Sequence, residues 1–135
     1  MELYILLAII AMLLYGITAI IYKLASPNID SISLTLFTSI FMTIVIFMFW
    51  LFSKQKQITV KGLEYAGIGG LIAGFAFIAF VTAIGLGKVS IATTLRGLSF
   101  AVTVGIAILF LSEQITLMKL TGIGFAIIAI ILLSI

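Results

Sequence analysis

The sequence predicts an all-α polytopic membrane protein with five transmembrane helices, on three observations. Of its 135 residues 64% are hydrophobic and only 8% charged, with mean hydropathy +1.48, whereas about a quarter of residues in soluble domains are charged. The few charges fall at intervals that leave five long uncharged stretches. Between those stretches lie the breakers: Pro27, the segment KQKQITVKGLE at 54–64, the pair Gly85 and Gly87, and the polar run around Glu113.

Composition also limits the chemistry. With no cysteine and no histidine, disulfides, thiolate or imidazole metal sites and Cys/His nucleophiles are excluded. The acidic residues Glu2, Asp30, Glu64 and Glu113 stand at or near span ends, so no paired-carboxylate site is expected at membrane depth. Neither an enzyme, a metal site nor a cofactor is expected. Seven basic residues and a net charge of +3, scattered over both sides, form no patch for nucleic acid. The opening Met-Glu lacks a basic n-region, so no cleavable signal peptide is expected.

The first helix is expected at 3–25. Leu3 to Tyr22 holds 20 residues without a charge, enough at about 1.5 Å per residue to cross the roughly 30 Å of hydrocarbon. Lys23 is read as snorkelling to the headgroups, and Ser26-Pro27-Asn28 as the stop. Tyr4, Ala8, Ala11, Tyr15, Thr18 and Tyr22 share one stripe. The stripe reads either as a packing face with interfacial tyrosines or as a cavity wall centred on Tyr15 and Thr18.

The second helix, 31–53, takes Asp30 or Ser31 as its cap. Phe47, Phe49, Trp50 and Phe52 before Lys54 mark the headgroup level. Thr35, Thr38, Ser39 and Thr43 line one side, where hydroxyls bond back to helix carbonyls. The polar loop with Lys54, Lys56 and Lys61 is too short to separate domains, so residues 1–135 read as one transmembrane domain.

The third helix, 63–86, carries Gly70 and Gly74 as a GxxxG, a pattern that lets helix backbones approach in lipid. Packing within one bundle is the expected use. Gly85-Leu86-Gly87-Lys88 is a tight connection, making helices three and four antiparallel neighbours.

The fourth helix, 89–112, holds the one ionisable residue among the 24 between Lys88 and Glu113, which is Arg96. A guanidinium there costs several kcal/mol unless it snorkels, is paired or faces water. Arg96, Ser99 and Thr103 lie at i, i+3 and i+7 on a polar face, beside a small-residue edge of Gly97, Ala101 and Gly105. Either Arg96 snorkels toward the Lys88 side, or it faces a cavity and pairs with a ligand or partner. The fifth helix, 116–135, starts ahead of a snorkelling Lys119 and carries Gly122 and Ala126 as another small-residue pair.

Five spans put the termini on opposite sides. Lys54, Lys56, Lys61 and Lys119 lie on the N-terminal side against Lys23 and Lys88 on the other, joined by Arg96 if it snorkels; four against two or three favours a cytoplasmic N-terminus and an outside C-terminus in the cell membrane. So small a bias leaves dual insertion open.

From Gly87 to Ile135 the sequence GKVSIATTLRGLSFAVTVGIAILFLSEQITLMKLTGIGFAIIAIILLSI resembles the second half of the EamA domain of the drug/metabolite transporter superfamily. Leu111-Ser112-Glu113 stands for the family's Leu-Gly-Glu, followed by Thr116 and Gly122, and Leu14-Tyr15-Gly16 with Lys23 resembles its Trp-Gly and downstream lysine. Ser112 and Tyr15 depart from the usual glycine and tryptophan, and Phe100 stands where a proline normally breaks helix four. The resemblance implies that Glu113 organises a loop. It further implies that five helices are one half of an inverted-repeat ten-helix transporter, that members export small metabolites, and that single-domain members pair.

The resulting expectation is a small secondary transporter or exporter of metabolites, acting as a homodimer, parallel or antiparallel, with its solute site at Arg96, Ser99, Thr103, Tyr15 and Thr18. A cationic lining favours anionic or zwitterionic solutes. Two alternatives remain: an exporter like the small multidrug-resistance proteins, disfavoured because helix one lacks a carboxylate, and a non-transporting membrane subunit of a larger complex.

Overall fold

The structure is a computed structural model describing residues 2–54, 56–111 and 116–134. Helices account for nearly all of it: α1 (Leu3–Ala25), α2 (Ser31–Phe52), α3 (Val60–Leu86), α4 (Val89–Gly97), α5 (Ser99–Leu111) and α6 (Leu117–Ser134). Among the described residues there is no strand. Four stretches are long and apolar enough to cross a membrane, Leu3–Ala25, Ser31–Phe52, Val60–Leu86 and Val89–Ala107, and Leu120–Leu132 is a shorter apolar helix. The all-α membrane fold is therefore the one the composition calls for, with α4 and α5 making up the fourth span.

Two compact units make up the chain, Met1–Ala19 with Gly87–Ile135, and Ile20–Leu86. In the second, Ser26-Pro27-Asn28 ends α1 as the proline requires, with the Ser26 hydroxyl donating to the Lys23 carbonyl at 2.9 Å and the Asn28 N–H to Ala25 at 2.9 Å. Asp30 then caps α2, its carboxylate accepting from the N–H groups of Ile32 (3.1 Å) and Ser33 (2.9 Å). Hydroxyls of Thr35, Ser39 and Thr43 donate to the carbonyls of Ser31, Thr35 and Ser39 at 2.7, 2.8 and 2.8 Å, which satisfies each donor inside its own helix.

The packed centre of this unit lies where α3 ends. Val81 and Ile84 are fully buried, Tyr22 and Thr35 are buried too, and the Tyr22 and Phe77 rings meet at 5.8 Å. A Cβ on Gly85 would come within 3.4 Å of the Ser31 Oγ and 3.8 Å of the Ser26 Cβ, so glycine lets α3 close onto the α1–α2 turn. Lys23 corrects the snorkelling expectation. Its ammonium is half-buried and donates to the carbonyl oxygens of Ile84 at 3.0 Å and Gly85 at 3.3 Å. The C-terminal carbonyls of α3 have no intrahelical partner and carry the negative end of the helix dipole, so a cation belongs there.

An added Cβ at Gly70 or Gly74 meets nothing within 4 Å, and every residue from 60 to 76 is exposed. Packing of α3 is concentrated instead in its last turns, where Phe77, Val81, Ile84 and Gly85 have neighbours. So few buried residues beside so many exposed leucines, isoleucines and phenylalanines is the pattern of a protein whose surface is solvated by lipid.

In the first unit α4 packs on α6. Gly97 marks the approach, where a Cβ would stand 3.6 Å from the Ile130 Cδ1. The fourth span is not one uninterrupted helix as expected. Leu98 (φ −62°, ψ −13°) donates to Leu95 at 3.0 Å, and Ala101 donates to Leu98 at 3.0 Å, a tight three-residue spacing that interrupts the α pattern. Phe100, not proline, occupies this region.

Candidate functional site

Arg96 lies in the last turn of α4, immediately before the interruption at Leu98. A cation at that position meets the negative end of the α4 dipole. Its guanidinium carbon stands 4.9 Å from the centre of the Tyr15 ring, within the distance at which an aromatic face attracts a cation. Both residues belong to the first unit. Both are exposed, Tyr15 at 56%, so the pair stands on an open face of the unit.

Two of the other candidates spend their hydroxyl donors locally. Thr18 donates to the Leu14 carbonyl at 2.7 Å and Thr103 to the Ser99 carbonyl at 3.0 Å; each keeps acceptor lone pairs for a ligand. Ser99 opens α5 beyond Leu98, so Arg96 and Ser99 sit on separate helical segments and the regular i, i+3 relation drawn from sequence is broken between them. Thr93, one turn before Arg96, donates to the carbonyls of Val89 (2.8 Å) and Ser90 (3.0 Å).

The structure thus brings Arg96 and Tyr15 together and leaves Thr103 exposed. Of the residues read as structural, Gly97 has a close neighbour in Ile130, while Gly105 and Gly122 face open space. Glu113 lies outside the described residues, as does the Lys119 side chain. Two shallow hollows occur elsewhere, one along α2 at Leu36, Ser39, Ile40, Thr43 and Ile44, the other along α6 at Thr121, Gly124, Phe125 and Ile128.

Two features here carry no signal in the sequence. The Lys23 clasp has backbone acceptors, which every residue possesses. The interruption at Leu98 has no proline to announce it; the adjoining Gly97, a weak helix former, is the one local hint.

One comparison with known proteins shows a family. Residues 2–135 match the EamA-like transporter family. The chain is similar to an uncharacterized protein of Methanocaldococcus jannaschii, 40% identical over 85 residues, which cover 61% of this chain and 62% of that relative. The match therefore spans less than two thirds of that relative's length. No solved structure matches the chain. With the family matched from end to end and the apolar helices it requires in place, the chain belongs to the EamA-like transporter family.

Proposed function

We propose that the chain is a small secondary transporter of metabolites that works as a homodimer, with solute binding beside Tyr15 and Arg96. The observation that carries the site is the guanidinium of Arg96 held 4.9 Å over the Tyr15 ring, the one charge of the fourth span. A cation kept at depth is costly unless water, an anion or a partner faces it. A carboxylate or phosphate on the solute complements that positive charge. Anionic or zwitterionic metabolites fit that lining. Thr18 and Thr103 keep hydroxyl lone pairs for a ligand, and with Ser99 they are the further contacts of this reading.

Transporters are commonly assembled from two inverted copies around a midplane site, and the homodimer proposed here supplies the second copy. The small lysine asymmetry permits an antiparallel pair, alongside the weakly favoured orientation with a cytoplasmic N-terminus.

The test is uptake into vesicles carrying the purified chain, screened with carboxylated and phosphorylated metabolites. Arg96→Ala is expected to reduce uptake of the anionic solute by tenfold or more, about 1.4 kcal/mol or greater by the usual conversion, while Arg96→Lys retains part of it. Unchanged uptake of every transported solute in Arg96→Ala removes Arg96 from the route.

The open edge at Gly70 and Gly74 favours a second reading, in which the chain is a non-transporting subunit whose small residues meet a different protein. Purification separates the two: a defined homodimer that moves solute supports transport, whereas a lone monomer inactive until a second protein is added supports the subunit.

A further inference from the structure

At the junction of α2 and α3 the chain gathers charge and aromatic rings in one short segment. Lys54, Lys56 and Lys61 fall within eight residues, and Glu64 is the one acid nearby. Lys61 stands in the first turn of α3, which contains no acidic residue, so its charge adds to the positive helix end instead of offsetting it. Three lysines against Glu64 leave the segment 54–64 with a net charge of +2.

The rings fix the depth of that charge. Phe47 and Trp50 stack at 5.7 Å, and the Lys56 ammonium lies 4.0 Å from the centre of the Trp50 ring. Exposed Phe49 and Phe52 flank the pair at the end of an apolar helix, the arrangement that settles at the boundary between acyl chains and headgroups. An ammonium carries three donors and no acceptor, and the ring face engages it from one direction. Two of its three donors are left for other acceptors, and lipid phosphates lie at the headgroup level where such rings settle.

We propose that the Trp50–Lys56 pair, with Lys54 and Lys61, is a docking surface for the phosphate of an anionic phospholipid. Charge complementarity selects the headgroup, and the aromatic cluster selects a lipid over a soluble anion, because it places the lysines where the bilayer supplies phosphate at high local concentration. The inference stands apart from the Tyr15–Arg96 site and holds whether or not the chain moves solute.

Trp50 is the one tryptophan of the chain, which makes the test direct. The full chain is placed in phosphatidylcholine vesicles containing a minor fraction of either brominated phosphatidylglycerol or brominated phosphatidylcholine, and quenching of Trp50 fluorescence is compared. Brominated phosphatidylglycerol is expected to associate about threefold or more strongly, with the preference lost in the triple variant Lys54→Gln, Lys56→Gln, Lys61→Gln. Equal quenching by both lipids, or a preference that survives in a folded triple variant, overturns the proposal. Should the variant not fold by circular dichroism, sodium chloride decides on the unaltered protein: the preference must fall as salt rises. Inorganic phosphate erasing the preference where chloride of equal ionic strength does not identifies a soluble-anion site and overturns the lipid assignment.

Discussion

The Lys23 ammonium donates to the carbonyl oxygen of Ile84 at 3.0 Å, across 61 positions of sequence, and ties the end of the first span to the end of the third. Ile84 is itself fully buried, so the clasp closes over the best-packed point of its unit. Lys23→Met keeps the aliphatic stem and removes the donor. It is expected to lower stability by about 1.5–3 kcal/mol, the range for a hydrogen bond to a charged group. Chemical unfolding in mild detergent measures it, and Lys23→Arg should recover much of the loss. A Lys23→Met variant as stable as the parent would show the clasp to be energetically idle.

A pH dependence follows from the α2 cap. The Asp30 carboxyl is held below its ordinary value of 3.8, first by hydrogen bonding from the Ser33 side chain and then by the backbone N–H groups of Ser33 and Ile32. A carboxyl depressed in the folded state contributes stability that is complete above its unfolded value and disappears as pH falls through the lower folded value. Thermal unfolding midpoints are therefore expected to drop below about pH 4. Asp30→Asn retains a capping side chain and should flatten that part of the profile relative to the parent, the difference between the two curves isolating Asp30 from the other acids.

The Tyr15–Arg96 contact can be weighed without any solute. In a double-mutant cycle of Tyr15→Leu and Arg96→Met, the two residues are expected to couple by about 0.5–1 kcal/mol, the value for an exposed cation–π pair. Tyr15→Phe preserves the ring face and should retain most of it. Additive single effects would mean that the ring does not hold the guanidinium.

Gly97 offers a test of the α4–α6 approach. A methyl group there meets the Ile130 Cδ1 at 3.6 Å, an ordinary contact, so Gly97→Ala is expected to be neutral or mildly stabilising. Gly97→Phe must displace the Ile130 Cδ1 or turn its ring outward from an exposed position, and is expected to cost more than Gly97→Ala, up to about 1–3 kcal/mol where it overpacks the α4–α6 contact. Matched unfolding curves read both, with Gly105→Phe, at an open position, as the comparison.

Much of the fold was legible because hydrocarbon imposes strict demands on sequence. Uncharged runs of membrane length, Pro27 at the close of α1 and Asp30 at the start of α2 each report a local requirement of the backbone. Arg96 attracted notice by being the one ionisable residue of its span, and Tyr15 by its place on a mixed stripe. What escaped was non-local. Lys23 reads as an interfacial lysine because its acceptors are main-chain carbonyls, chemically alike at every position, and no pattern points to Ile84 and Gly85 in particular. Gly70 and Gly74 match a packing motif, yet a motif states only that an approach is sterically allowed. The interruption at Leu98 lacks the proline by which such breaks are recognised, so the regular spacing of Arg96, Ser99 and Thr103 described a straight helix that the chain does not build.

The hydroxyl ladder of α2 has a consequence for the surroundings that helix can occupy. Because Thr35, Ser39 and Thr43 each donate to a carbonyl four residues earlier, no proton on that line is stranded when water leaves, and oxygen lone pairs remain to greet water when it returns. The face is amphibious, able to exchange an oily neighbour for a wet one without first breaking a bond.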